Sequence, residues 1–345
     1  VSGSFGQGLA LRYYRQVVAP RLAGTPHAAA LLGSGSEVLG YDDEVSTDHD
    51  FAPRVQVFLA PDADLCAVTA DLPDGFEGWP GAHAEATTVQ GFFRGAIGID
   101  PAYGVALADW LLIPTQLLAG LTAGPVFHDP AGELARRRAA LAWYPDDVWR
   151  YVLAAGWLRV GQEAAFVGRA GATGDEVGSV IVAARLARDL IRLALLVERR
   201  WAPYSKWLGR AFGDLPVAAA AGPPLRAALA AGGWREREAA ICAAASVLAS
   251  ATNQLGLAEP VDPAPRQFHG RDIRVVDAER FTMVLTAAIT DPEVRALLTR
   301  LGGRRAAEPV PTLPGAIDQA VDSTDVLTRI DRCRASTAIL GPCST

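Results

Sequence analysis

Lysine is almost missing from this chain: of its 32 basic residues, all but Lys206 are arginine. Cysteine is scarce too. Cys66, Cys242, Cys333 and Cys343 stand far apart with no Cys-x-x-Cys pair, which leaves neither zinc-ligand spacing nor the framework of a small disulfide-rich domain. Nothing near residue 1 reads as a basic region followed by an apolar core, so a cytoplasmic location is expected. Positive charge is not in excess either. With 38 acidic residues the formal net charge is -6, and a global field for holding nucleic acid is absent, although a local basic groove is not forbidden. The most apolar stretch, Ser179 to Val197, is interrupted by Arg185, Arg188, Asp189 and Arg192, too many charges for a bilayer segment, and no membrane partner is expected.

What is present is ordinary globular material. Half of the 345 residues are apolar and a fifth are charged, with 34 Gly and 23 Pro. That composition excludes disorder and collagen, and the length suggests two domains. In a background that has replaced lysine almost everywhere, Lys206 in Tyr204-Ser205-Lys206-Trp207 reads either as a solvated residue or as a point charge kept for a purpose.

The first part of the chain mixes strand and helix. Leu9 to Leu22 has helical spacing, Ala28 to Leu32 is a short apolar strand, Arg54 to Leu59 a second, and Ala84 to Val89 a third; Asp62 to Leu72 suits a helix and Val126 to Pro130 a further short strand. From Ala131 the period changes to that of helices: Ala131 to Leu141, Asp146 to Arg169, Asp175 to Trp201, Pro224 to Ala231, Glu236 to Leu255 and Phe281 to Leu301. Within Asp175 to Trp201, Val177, Val180, Ile181, Ala184, Ala187, Ile191 and Ala194 form an apolar face expected to be buried. Arg185, Arg188, Asp189, Arg192 and Arg199 line the opposite stripe, read as a solvated face stitched by Asp189 or as the wall of a phosphate cleft. The last forty residues show turn signals and little periodicity, a loose tail with a short helix near Ala316 to Ile330. The expected class is α+β, with a mixed-sheet domain over 1–130 and a helical domain over 131–345.

One constellation carries chemistry. Leu31-Leu32 runs into Gly33-Ser34-Gly35-Ser36, and eleven residues later comes Asp48-His49-Asp50-Phe51. Two carboxylates at i and i+2 of an extended strand share a side and can converge on one cation, and such oxygen ligands suit Mg²⁺. His49, between them, points the other way. Glycines before them let backbone N–H groups approach a phosphate. No Gly-Lys-Ser/Thr follows, so this is not a Walker loop, and the spacing is wrong for a dinucleotide fingerprint.

These residues resemble the signature of the DNA polymerase beta-like nucleotidyltransferase superfamily, which includes aminoglycoside and lincosamide nucleotidyltransferases. Gly33 to Gly40, Ser46 to Asp50, Trp143-Tyr144-Pro145-Asp146-Asp147-Val148-Trp149 and Tyr204 to Gly209 are more closely similar to a bacterial family, DUF4037. The resemblance implies that Gly35 and Ser36 contact a triphosphate. It also implies that Asp48 and Asp50 bind two Mg²⁺ with a third carboxylate on a neighbouring strand, for which Glu85 is the candidate. Lys206 is placed to reach the outer phosphates, unless it is a solvated surface residue, and Tyr204 to stack on the base or donate its hydroxyl. Arg54 is a second phosphate ligand or a counter-charge to Asp48 and Asp50. Glu163 or Asp175 is a general base for the acceptor, although Asp175 equally suits a helix cap. His269 belongs to a loop that can touch substrate.

The expected activity is Mg²⁺-dependent transfer of a nucleoside monophosphate from ATP or another nucleoside triphosphate to a hydroxyl of a small molecule. The acidic chain disfavours a nucleic-acid acceptor. The alternative is a catalytically degraded nucleotide-binding regulatory protein of the same fold.

Overall fold

Strand β2 (Arg54–Leu59) is the axis of the first half of the chain. Its residues Val55 to Leu59 are all buried, as befits a strand covered on both faces. It pairs antiparallel with β1 (His27–Ala30) and parallel with β5 (His83–Thr87), with Gln56 opposite Glu85. β6 (Val126–His128) pairs antiparallel with the other edge of β1, giving the order β5-β2-β1-β6. A parallel neighbour requires a long connection, and the chain between β2 and β5 carries a small hairpin of β3 (Gly75–Phe76) and β4 (Trp79–Pro80). This computed structural model describes residues 4–43, 51–64, 69–301 and 311–341. Part of the helix expected over Asp62 to Leu72 lies outside them.

The chain divides into two compact units: Val1–Asp109, Ile113–Trp143 and Thr328–Asp331, then Trp110–Leu112, Tyr144–Leu327 and Arg332–Thr345. In the first, the helix Phe5–Tyr13, capped by Ser4, continues through a π-helical stretch, Tyr14–Val18, to Arg21. Tyr13, Val18 and Leu22 pack on Ala29, Val55 and Val57, and the small Ala29 side chain lets that helical layer approach β1 closely. A buried ion pair joins Arg137 on the helix Glu133–Ala140 to Asp100, with contacts of 2.7 and 2.8 Å. The architecture is α+β.

The second unit is helical. Asp146–Gly171 and Glu176–Val197 form its central hairpin, tied by Trp149 Nε1 donating to the Leu196 carbonyl at 2.9 Å. Trp157 donates to Thr252 Oγ1 on the helix Trp234–Gln254 at 3.2 Å, and its ring stacks on Phe281 at 4.5 Å. Asp175 caps the second hairpin helix through Gly178 N at 2.7 Å. Among the described residues no helix is long and apolar enough to cross a membrane.

Three elements differ from the expectation. The helix Glu176–Val197 buries Ser179, Ala183, Leu186, Leu190 and Leu193, so Val177, Val180, Ile181 and Ala184 face outward; so much of its circumference is apolar that periodicity does not select a face. Its arginine stripe is divided: Arg185 and Arg199 are exposed, whereas Arg188 and Arg192 meet the C-terminal segment. Arg188 pairs with Asp322 at 2.5 and 2.6 Å, and Arg192 and Arg159 donate to the carbonyls of Asp318 and Gln319 at 2.8 and 2.6 Å. The segment that covers it, read as a loose tail with a short helix near Ala316 to Ile330, has helices there at Ile317–Ala320 and Thr324–Leu327 and continues into Ile330–Ala335, with Ile317 and Cys333 fully buried rather than loose. Helices of four to six residues are too short to show a period.

Candidate functional site

The glycine-serine turn leaves β1 and enters the short helix Ser36–Leu39, whose N-cap is Gly35. Gly33 and Gly35 have φ of +95° and +136°, and a Cβ at Gly35 would collide with the Glu37 carboxylate; only glycine fits both demands. The turn is fastened from behind. Leu31 N donates to the Pro125 carbonyl at 2.9 Å and Gly33 N to the Gly120 carbonyl at 3.1 Å. Gly120 and Gly124 permit that approach, because a Cβ on either would fall inside contact distance of the Gly33 or Leu31 carbonyl oxygen. Arg138 closes the same corner by donating to the carbonyls of Thr122 and Gly124.

Two side chains from β2 reach the turn. Gln56 is 1% exposed. Its Oε1 accepts from Leu32 N at 2.8 Å and its Nε2 donates to Glu85 Oε2 at 3.2 Å. Arg54 places its guanidinium over the loop: Nη2 lies 2.8 Å from Glu37 Oε1 and also donates to the Ser34 carbonyl, and Nη1 lies 3.4 Å from the Leu32 carbonyl. Glu85 is exposed on the outer strand, with His83 Nε2 3.8 Å from its Oε1. The strand end therefore presents a glycine turn, an arginine and a carboxylate joined by hydrogen bonds, an arrangement able to hold an anion beside an oxygen-ligand cation.

Gly35, Ser36, Arg54 and Glu85 thus lie at one end of one sheet. Asp48, Asp50 and His49 lie outside the described residues. Among the described residues no cluster of three His, Cys, Asp or Glu is arranged to hold a metal ion. The remaining candidates belong to the second unit. Lys206 opens the helix Ser205–Gly213, exposed, with its ammonium 4.8 Å from the Trp207 ring centroid, and Trp207 Nε1 donates to Tyr204 Oη at 2.8 Å. Glu163 Oε1 lies 3.2 Å from Arg185. His269 has φ +45° and sits against Phe268 at the end of a hairpin of β7 (Arg266–Gln267) and β8 (Arg274–Val275).

Sequence reasoning missed Glu37 and Gln56. Glu37 follows directly on the turn, and its acidity among glycines and serines was a usable signal. Gln56 was legible only as a polar residue inside an otherwise apolar strand, Arg-Val-Gln-Val-Phe-Leu. From Tyr144 onward the motif Trp143 to Trp149 belongs to the second unit. Asp147 Oδ2 accepts from the backbone of Thr290 and Asp291 at 2.9 and 2.6 Å, Oδ1 accepts from Arg150 at 2.6 Å, and Trp149 is buried.

The family described as a domain of unknown function, DUF4037, matches residues 110–208. That span takes in the Trp143 to Trp149 motif and the segment Tyr204 to Leu208, and leaves out the glycine turn. A solved structure described as a nucleotidyltransferase-like protein, from Exiguobacterium sibiricum 255-15, is similar over 87% of this chain and 97% of its own, at 12% identity and a TM-score of 0.32. No curated protein matches the chain.

Proposed function

We propose that the sheet end bearing Gly35, Ser36, Arg54 and Glu85 is the nucleotide site of a Mg²⁺-dependent nucleotidyltransferase, which moves a nucleoside monophosphate from ATP or another nucleoside triphosphate to a hydroxyl of a small molecule. The observation that carries the reading is the convergence on the glycine turn: Arg54 lies over it, and Gln56 ties it to the Glu85 carboxylate on the next strand. The sequence delivers Asp48 and Asp50 between that turn and β2.

In this reading Arg54 and the backbone of the turn hold phosphate oxygens, and Glu85 joins Asp48 and Asp50 as an oxygen donor to metal. The available carboxylates suit Mg²⁺, which supplies charge neutralisation and a more acidic acceptor hydroxyl when bound. The acceptor oxygen forms a bond to the α-phosphorus, the bond from that phosphorus to the bridging oxygen breaks, and pyrophosphate leaves. The acceptor proton passes to a carboxylate or to water.

The test supplies α-labelled ATP and Mg²⁺ with either a panel of small alcohols or a mixed RNA pool. Label on a small alcohol with release of pyrophosphate, lost in Asp50→Asn, supports the proposal. Label entering RNA keeps the transfer and overturns the small acceptor. Nucleotide bound tightly without any cation requirement and without transfer favours the regulatory alternative.

A further inference from the structure

Three aromatic rings border the glycine turn, each delivered by a different segment. Phe5 opens the helix Phe5–Tyr13, Phe51 stands three residues before Arg54 in the stretch that enters β2, and Trp79 belongs to β4, in the hairpin that leads to β5. β5 runs parallel to β2, so the approaches to both strands lie at one end of the sheet. The chain leaving β1 for the glycine turn arrives at that same end, because β1 is antiparallel to β2. The rings meet there. Phe51 and Trp79 have centroids 4.8 Å apart at 71°, and Phe5 lies 6.1 Å from Phe51 at 22° and 5.8 Å from Trp79 at 59°. Two rings are thus nearly parallel and the indole stands across both. Phe5 is 51% exposed, so the cluster keeps an open aromatic face.

That face is firmly mounted. Asp42 Oδ2 accepts from Gly6 N at 2.6 Å, which anchors the start of the helix beside Phe5. Phe76 and Trp79 pair across the turn of the hairpin. Phe76 also packs on Tyr13 at 5.4 Å, and Glu77 meets Arg12 at 2.7 Å. The hairpin is therefore clamped along the same helix that carries Phe5.

The cluster lies close to the anion-binding corner. A Cβ on Gly6 would come 2.5 Å from Glu37 Cβ and 3.1 Å from Phe51 Cε2, so these two side chains are near neighbours across Gly6. Glu37 Oε1 in turn lies 2.8 Å from Arg54 Nη2. One glutamate side chain separates the rings from the guanidinium over the turn. Along the chain, three residues span at most about 10 Å, which bounds the distance from Phe51 to Arg54. A ligand that fits both surfaces carries phosphate at one end and a flat π-system a short tether away, which is the covalent plan of a nucleotide. Stacking accepts any base, since every base has a π-face.

Resting on the nucleotide reading above, we propose that Phe5, Phe51 and Trp79 form the nucleobase platform of that site, with the base on the open face of Phe5 and the phosphates at Arg54 and the turn.

The test is calorimetric and uses the full chain with Mg²⁺. Inorganic triphosphate, ribose 5-triphosphate and ATP are titrated in turn. ATP should bind roughly tenfold tighter than the other two, the worth of one stacked base, and GTP, CTP and UTP should keep most of that gain. Phe5→Leu, at an exposed position, should remove the gain while triphosphate binding and the melting point hold. Phe5→Trp should restore it, which a purely structural role would not require. ATP binding no tighter than ribose 5-triphosphate, or a gain that survives Phe5→Leu, overturns the platform and leaves the phosphate site standing. Triphosphate binding that is absent, or indifferent to Arg54→Ala, overturns the nucleotide reading and the platform with it.

Discussion

Gln56 and Glu85 face each other in the β2/β5 register, and the one buried amide serves both the Glu85 carboxylate and the N–H of Leu32. A strand residue therefore sets both the loop that precedes the helix Ser36–Leu39 and the carboxylate that would meet a metal. Replacing Gln56 by Leu keeps the volume and leaves the Leu32 N–H without its partner. A loss of about 1–3 kcal/mol in urea unfolding is expected. Glu85→Gln, on an exposed side chain, should change stability by less than about 0.5 kcal/mol, and its effect should appear in transfer activity instead.

Arg54 is held by Glu37 at 2.8 Å, a pair that a phosphate bound as proposed would reorganise. Arg54→Ala should weaken binding of inorganic triphosphate by roughly tenfold or more, the worth of a charge-assisted hydrogen bond. Glu37→Gln removes the competing carboxylate and should strengthen that binding severalfold. Isothermal calorimetry with both variants checks the pair, and weaker binding in Glu37→Gln would show that the carboxylate orients Arg54 more than it competes.

Close backbone approach at Gly120 should be intolerant of a single methyl group. Its Cβ would press on the Gly33 carbonyl, so Gly120→Ala should cost about 1–3 kcal/mol through overpacking. Gly95, inside the helix Val89–Ile97, has open space at the same position. Gly95→Ala should instead stabilise by up to about 1 kcal/mol. Thermal melts of the two variants should move in opposite directions.

Strand β2 was legible because its residues are apolar and β-branched over a short run, and Arg54 to Leu59 has the expected bounds. The glycine turn was legible for a different reason, since its backbone needs positive φ at Gly33 and Gly35. Tertiary facts were not. Leu107–Leu112, Thr115–Ala123 and Ser205–Gly213 are helices whose six to nine residues carry too few turns to announce a period. The helix expected to open at Pro224 begins instead at Ala218, with Gly222 and Pro223 inside Ala218–Ala230, where burial of Ala221, Leu225 and Ala228 outweighs the backbone bonds that Pro223 and Pro224 cannot make. Glu37 and Gln56 acquire their roles only when Arg54 and Glu85 are brought beside them.

Two buried carboxyl groups should give stability opposite dependences on pH. Hydrogen bonds from Arg137 hold Asp100 below the usual carboxylate range. Its contribution is present above the ordinary Asp pKa and lost as pH falls through the lowered native one. Asp100→Asn should cost about 3 kcal/mol at neutral pH, because it leaves the buried Arg137 with Glu133 as its one remaining carboxylate, and less in acid. Burial raises Glu238, whose Oε2 has no hydrogen-bond partner. The proton-linked stability is present below the ordinary Glu pKa and is lost as pH rises through the raised one. Glu238→Gln should therefore raise the melting temperature above neutrality and gain little near pH 4, as scanning calorimetry at the two pH values would show.

The cover over Arg159, Arg188 and Arg192 is drawn from residues 126 to 160 positions later in the chain. Contacts of such separation form late, after the loop-closure entropy has been met. During synthesis the central hairpin emerges before residues 318–322, so Arg188 and Arg192 wait in solvent for acceptors that the C-terminal segment brings, while Arg159 already has Asp189 at 3.7 Å within the hairpin. Closure of this half of the chain therefore depends on its last short helices.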